Sequence, residues 1–248
     1  MVDTDFYARS YGAGGEEFGE WRAFSAEAKA DHAIRLMREL PEPPRRILEV
    51  GCGDGALLAE LARRGAAAEY AGFEIAAEAI DRLRARAIPG LARAEVYDGR
   101  TLPVEDGSWD VALLSHVLEH VDDPPALLRE AARAARAVVV EVPLEDNVSG
   151  RRGRAERIRA EIGHEQRFDR AAVRELVGAA GLEPAAELTD PLTRRALTFH
   201  ARTPRARATA AAKAAVRRAA YVASARLAER LFTVHYACLC VPAPGARA

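Results

Sequence analysis

Five short apolar runs, separated mainly by segments of helical periodicity, occupy residues 45–143 and constrain this chain more than any other feature. RRILEV (45–50), EYAGFEI (69–75), ARAEVYD (92–98), WDVALLS (109–115) and AVVVEV (137–142) read as strands. ALLAELARR (56–64) carries Leu57, Leu58 and Leu61 on one face, with Gly65 as its C-cap. AAEAIDRLRARA (76–87) has the same periodicity. Asp122, Asp123, Pro124 and Pro125 open a third helix, with acids at the positive end of its dipole and prolines in its first turn. Strands alternating with helices require a mainly parallel sheet with right-handed crossovers, so an α/β fold is expected.

Alanine contributes 54 of the 248 residues, so patterning rather than propensity has to carry the reading of the flanks. Residues 25–40 read as a helix with Ser25 as N-cap and Pro41 as its stop. Beyond Pro143 an Arg-rich segment (150–162) is followed by GHEQRF, a helix near 169–180, a sixth strand (LEPAAELTD), one long helix over 205–230 and a seventh strand (LFTVHYACLCVP). These fit one 248-residue domain: a leader and helix (1–44), a first half (45–143), and a second half (144–248) with helical insertions after strands five and six. Cys52, Cys238 and Cys240 include no C-x-x-C pair, so neither a disulfide framework nor a metal site is expected. MVDTDFYARS lacks the pattern of a signal peptide, and no apolar run approaches the roughly 20 residues that span a bilayer; a cytoplasmic protein is expected.

The turn after strand one is EVGCGDG. Gly51, Gly53 and Gly55 permit positive φ and close backbone approach to a ligand, and the following helix presents its N-terminal amides there. Read alone, Gly51-x-Gly53-x-x-Ala56 also satisfies a dinucleotide fingerprint. The carboxylates favour a different ligand. Glu49 would repel a pyrophosphate but suits an ammonium group. Glu74 ends strand two, where it can accept ribose hydroxyls, and Asp98 ends strand three, where it can accept from an adenine amino group. An ammonium, a sulfonium and an adenosine occur together in S-adenosylmethionine.

ILEVGCGDGALLAEL, GFEI and YDGRTLPVEDGSWDVALLSHVLEHVDDPPALLREAAR, in that order, resemble the class I S-adenosylmethionine-dependent methyltransferases. The resemblance is to their small-molecule, type 11-like branch. GHEQRFDRAAVRELVGAAGLEP is similar to the segment after strand five in that branch, so the likeness covers about residues 45–190. It implies a Rossmann-like, doubly wound seven-stranded sheet of order 3-2-1-4-5-7-6 with strand seven antiparallel. It also implies S-adenosylmethionine as cofactor and S-adenosylhomocysteine as product. Gly51, Cys52, Gly53 and Gly55 would border the methionine part, Glu49 would orient its ammonium, Glu74 would hold the ribose and Ile75 would pack on the adenine. Asp98 and Gly99 would meet the adenine edge, and Ser115 and His116 would bring backbone to the methionine moiety. Tyr7 and Tyr11, among flexible glycines, are candidates for a lid over the cofactor.

Methyl transfer from a sulfonium chiefly requires alignment, and a base helps when the acceptor has a proton to lose. His116, at the mouth of strand four, is the first candidate base; His120 and His164 follow, whereas His235 reads as structural. The expected acceptor is a small molecule methylated at O or N. Residues 149–248 carry a net charge of +10 and residues 1–148 one of −11. Arg151, Arg152, Arg154, Arg157 and Arg159 would suit an acceptor bearing carboxylate or phosphate; a solvated helix face explains them equally. On 205–230, Val216, Ala220, Leu227 and Leu231 form an apolar stripe expected to pack on the chain's own domain, with a dimer face or peripheral membrane contact as alternatives. A nucleic-acid methyltransferase is disfavoured because no N-P-P-Y-like tetrapeptide or RNA-binding module is present. A non-catalytic cofactor-binding subunit is the other alternative, and a dehydrogenase the weakest.

Overall fold

The structure, a computed structural model, describes residues 16–245. In it seven strands form one sheet: β1 (Arg46–Val50), β2 (Glu69–Glu74), β3 (Leu91–Val96), β4 (Trp109–Ser115), β5 (Ala135–Leu144), β6 (Leu182–Pro191) and β7 (Val234–Pro242). Their order is 3-2-1-4-5-7-6. β1 to β5 run parallel, and β7 pairs antiparallel with both β5 and β6. The expected topology and the antiparallel seventh strand are both present.

Helices cover both faces. One side holds α2 (Ala56–Arg63) and α3 (Ala77–Ala85), where Leu57, Leu58, Leu61, Ile80 and Leu83 pack against Ile47, Tyr70, Val111 and Val139. The other holds α4 (Pro124–Ala134) and α6 (Arg170–Ala179), whose Leu127, Leu128, Val173 and Val177 meet Leu48, Phe73, Leu114 and Val140. The central strands are apolar on both faces because both are covered. The side chains of Asp123 and Asp169 cap these last two helices by accepting from Ala126 and Ala172 N–H, at 3.0 and 2.8 Å.

Three expectations for the flanks need correction. The first helix, α1 (Glu16–Met37), starts before Ser25, whose hydroxyl donates to the Arg22 carbonyl at 3.1 Å from within the helix instead of capping it. Residues 205–230 are not one helix: α8 (Pro204–Ala223) and α9 (Ala225–Leu231) meet at Ser224, whose side chain caps the second by accepting from Leu227 N–H. Nor is the apolar stripe buried, since Val216 is 60% exposed and Leu227 48%. The Arg-rich segment forms α5 (Gly153–Glu161), and α7 (Arg194–Thr198) adds a short turn after β6. Among the described residues, no helix is long and apolar enough to cross a membrane.

Candidate active site

The C-terminal ends of β1, β2 and β4 open onto a cavity of about 340 Å³. Crevices at this end of an open α/β sheet are where such folds bind ligands. Its lining includes the glycine turn, Glu49, Glu74, Ile75, Tyr97 and Gly99, together with Lys29, His116, His120, His164 and His235.

The turn is held to strand β2 by Gly51 and Cys52 N–H, which donate to the Phe73 carbonyl at 2.7 and 3.1 Å. Gly51 has φ +67°, and a Cβ there would lie 2.6 Å from Val117 Cγ2, so glycine is required both by conformation and by space. The buried Glu74 carboxylate accepts from Gly53 N–H at 3.0 Å and from Ile75 N–H at 2.7 Å. Burial raises its pKa against the opposing effect of these backbone donors. Glu49 is buried on the cavity wall, and its Oε2 has no hydrogen-bond partner. Burial pushes its pKa well above the carboxylate range, countered by nearby Lys29. A buried carboxylate oxygen without a donor calls for a cationic or N–H-bearing ligand.

Other members of the expected cofactor set are placed differently. Cys52 borders the cavity, but its thiol is buried, its Sγ lies 3.7 Å from the Gly53 carbonyl, and its pKa is pushed up by burial. Asp98 lies beyond the end of β3, exposed and outside the cavity lining; its Oδ1 accepts from Arg100 and Thr101 N–H at 2.8 and 2.7 Å. Tyr97 and Gly99, its neighbours, do line the cavity. Tyr7 and Tyr11 lie outside the described residues. Arg151, Arg152 and Arg157 are exposed and do not line the cavity, and Arg151 pairs with Asp146 at 2.9 Å, so these side chains form a solvated face.

The imidazole lining is built by several elements. His116 follows β4 with φ +59°, a left-handed conformation costing a non-glycine residue on the order of 1–3 kcal/mol. Its Nδ1 stands 3.1 Å from Glu119 Oε1, and its Nε2 is buried without a hydrogen-bond partner. Burial and Lys29 oppose its protonation, but Glu119 and Glu141 prevail and raise its pKa. Burial would raise the pKa of Glu119, yet His116 holds it at about 2. His120 Nδ1 lies 2.9 Å from the Gly163 carbonyl, and His164 Nδ1 lies 2.8 Å from Glu145 Oε2. All three candidate bases therefore border one cavity.

Sequence reasoning missed several residues. His235, read as structural, lines the cavity from β7, and burial pushes its pKa down to about 4. Glu141 lies buried beneath it on β5, and His32 of α1 is 3.1 Å from Glu141 Oε1. Trp21, Ser25 and Lys29 border the same cavity from α1. Asp54 holds that helix down: its buried Oδ2 pairs with Arg22 at 3.1 Å and with Arg86 at 3.0 Å. The i, i+4 spacing of Trp21, Ser25 and Lys29 was a visible signal, but nothing local says which surface that face meets.

Fold and cavity together define a Rossmann-like nucleotide-binding protein with carboxylates in its cavity lining. A methyltransferase-domain family model matches residues 21–187, and the chain belongs to the class I S-adenosylmethionine-dependent methyltransferase family. Malonyl-[acyl-carrier protein] O-methyltransferase of Halorhodospira halophila is 30% identical over 77% of this chain and 64% of its own length. Other curated relatives are matched over 28% to 50% of theirs. A complex between the Haloferax volcanii Trm112 methyltransferase activator and a methyltransferase contains a chain that superposes with TM-score 0.65, at 19% identity, over 98% of this chain and 99% of that one. Geranyl diphosphate methyltransferase in complex with S-adenosylmethionine gives TM-score 0.61 at 15% identity, covering 87% and 85%. S-adenosylmethionine is the cofactor, and the free Glu49 oxygen and the Glu74 carboxylate fit its ammonium and ribose.

Proposed function

We propose that this protein transfers a methyl group from S-adenosylmethionine to an oxygen or nitrogen of a small-molecule acceptor. One observation carries the reading: a single cavity is lined both by a glycine turn with the carboxylates Glu49 and Glu74 and by the imidazoles of His116, His120, His164 and His235, which we assign to cofactor and acceptor respectively. The bound cofactor supplies an electrophilic methyl on a positively charged sulfur. Glu49 attracts the ammonium, Glu74 receives the ribose hydroxyls, and Gly51 and Gly53 let the backbone approach. Trp21 and Ile162 border the same cavity.

His116 is the residue we assign to proton removal. Glu119 orients its Nδ1, leaving the unpartnered Nε2 to take a proton from an acceptor hydroxyl or ammonium. A correctly placed base contributes typically 10²–10⁴-fold. His120 and His164 border the same cavity, where they can hydrogen-bond the acceptor. The malonyl-[acyl-carrier protein] relative supports an O-acceptor.

Incubating the full chain with methyl-labelled cofactor and either a metabolite extract or total RNA tests the reading. Label in a low-molecular-weight fraction, reduced about 10²-fold or more by His116→Ala, supports it. Label confined to RNA would transfer the assignment to a nucleic-acid acceptor. Tight S-adenosylhomocysteine binding without incorporation in either pool would favour a non-catalytic subunit.

A further inference from the structure

Three elements far apart in sequence bring two imidazoles to one buried carboxylate. Glu141 Oε1 lies 3.1 Å from His32 Nδ1 and 3.6 Å from His235 Nδ1. One donor atom from each residue can be chosen so that all three lie within 4.8 Å of one another. A tetrahedral ion with bonds of about 2.0–2.2 Å holds its ligand atoms roughly 3.3–3.6 Å apart; the His235–Glu141 separation falls in that range, and the 3.1 Å His32–Glu141 hydrogen bond would open by a few tenths of an ångström to admit the ion. We infer that His32, Glu141 and His235 form a binding site for a divalent first-row transition ion. Two imidazoles and one carboxylate favour zinc, iron or cobalt over magnesium or calcium, which take all-oxygen sets.

The outer contacts are those of ligands held in place. His32 turns its other nitrogen, Nε2, to Asp190 Oδ2 at 3.5 Å, a carboxylate–histidine relay like those that orient metal-bound imidazoles. The second oxygen of Glu141 accepts from the Ser115 hydroxyl at 3.3 Å. His116 Nε2, buried and unpartnered, stands 3.8 Å from Glu141 Oε1 on the cavity side. Three protein ligands leave coordination positions open, and both His116 and His235 line the cavity. An ion here would take an oxygen of the acceptor as a further ligand, which favours O-methylation. The ion site itself does not depend on the methyl-transfer reading.

Cobalt(II) titration of the chelator-treated full chain, followed by visible absorption, tests the site. One equivalent producing the intense bands of a low-coordinate ion, erased by zinc, is expected. His235→Asn and Glu141→Gln should abolish the bands, while S-adenosylhomocysteine binding shows that the rest of the fold survives. Asp190→Asn, at a residue nearer the surface, should keep the bands and weaken affinity about 10–100-fold. Absence of bands in the unmodified chain would overturn the site, as would bands unaffected by His235→Asn. It would also fall if His164→Asn abolished the bands and His235→Asn did not, since the ion would then belong to the neighbouring group of Glu119, His120 and His164. Cobalt bands without any S-adenosylhomocysteine binding would support the ion site and count against the methyltransferase reading.

Discussion

The buried carboxylate of Glu74 accepts the backbone N–H of Gly53 at 3.0 Å, tying the end of β2 to the glycine turn that follows β1. One acidic side chain thus shapes the turn and faces the cavity, so its two roles are separable by substitution. Glu74→Ala loses both, and S-adenosylhomocysteine affinity should fall roughly 10–100-fold, the value of a charged hydrogen bond of about 1.5–3 kcal/mol. Glu74→Gln retains an acceptor for Gly53 and should lose less. Calorimetry, with circular dichroism to check the fold, measures both.

Glu49 predicts a pH dependence of cofactor affinity. Its pKa lies above the carboxylate range, because burial disfavours the charge and Asp54 and Glu74 repel it, while Lys29 works in the opposite sense. The protonated form attracts an ammonium poorly. Affinity should therefore rise with pH as Glu49 ionises, and Glu49→Gln should bind more weakly with that rise removed. Calorimetric titrations at several pH values compare the two; an unchanged profile in the variant would exclude Glu49 as the group responsible.

Gly55 combines φ +75° with a site where an added Cβ would clash with the side chain of buried Leu83. Gly55→Ala should destabilise the fold by about 1–3 kcal/mol, through left-handed strain and overpacking. The urea midpoint should fall while the slope stays constant.

Glu187 on β6 accepts from Arg174 Nε at 2.7 Å and from the Tyr236 hydroxyl, and Arg174 chiefly holds its pKa at about 2 against an ordinary 4.5. A depressed folded-state pKa stabilises above the unfolded value and is lost as pH falls. This contribution should be complete above about pH 4.5 and vanish towards pH 2. Glu187→Gln should lower stability by roughly 1–3 kcal/mol at pH 7, with the gap closing in acid. Thermal unfolding at pH 7 and pH 3 gives the comparison.

The glycine turn and the strand-end acids were legible because their signals are local. Gly51, Gly53 and Gly55 are adjacent in the chain, and Glu49 and Glu74 sit at strand ends that alternation locates to within a residue or two. Asp98 reads as the end of β3, but the strand stops at Val96 and the side chain turns back to the Arg100 and Thr101 amides, a local hydrogen-bonding choice available to any aspartate in a loop. Ser25 looked like a cap by composition, yet a serine inside a helix satisfies its hydroxyl on a carbonyl one turn back, at Arg22. On α8 and α9 the apolar stripe was real as a spacing, but Ser224 breaks the helix and Val216 and Leu227 face solvent.

Period and turn chemistry, encoded within a few residues, determined the α/β class of this protein and the glycine turn after its first strand, while the strand order followed only from the family resemblance. Tertiary structure alone decided which distant imidazoles and carboxylates meet. His32, Glu141 and His235 lie on α1, β5 and β7, and each by itself is an unremarkable polar residue in an apolar neighbourhood. They meet because β7 inserts antiparallel beside β5, setting His235 opposite Pro143, two residues beyond Glu141, and because α1 packs against both strands. Periodicity records which face of an element is buried; it carries no information about which distant side chain shares that burial.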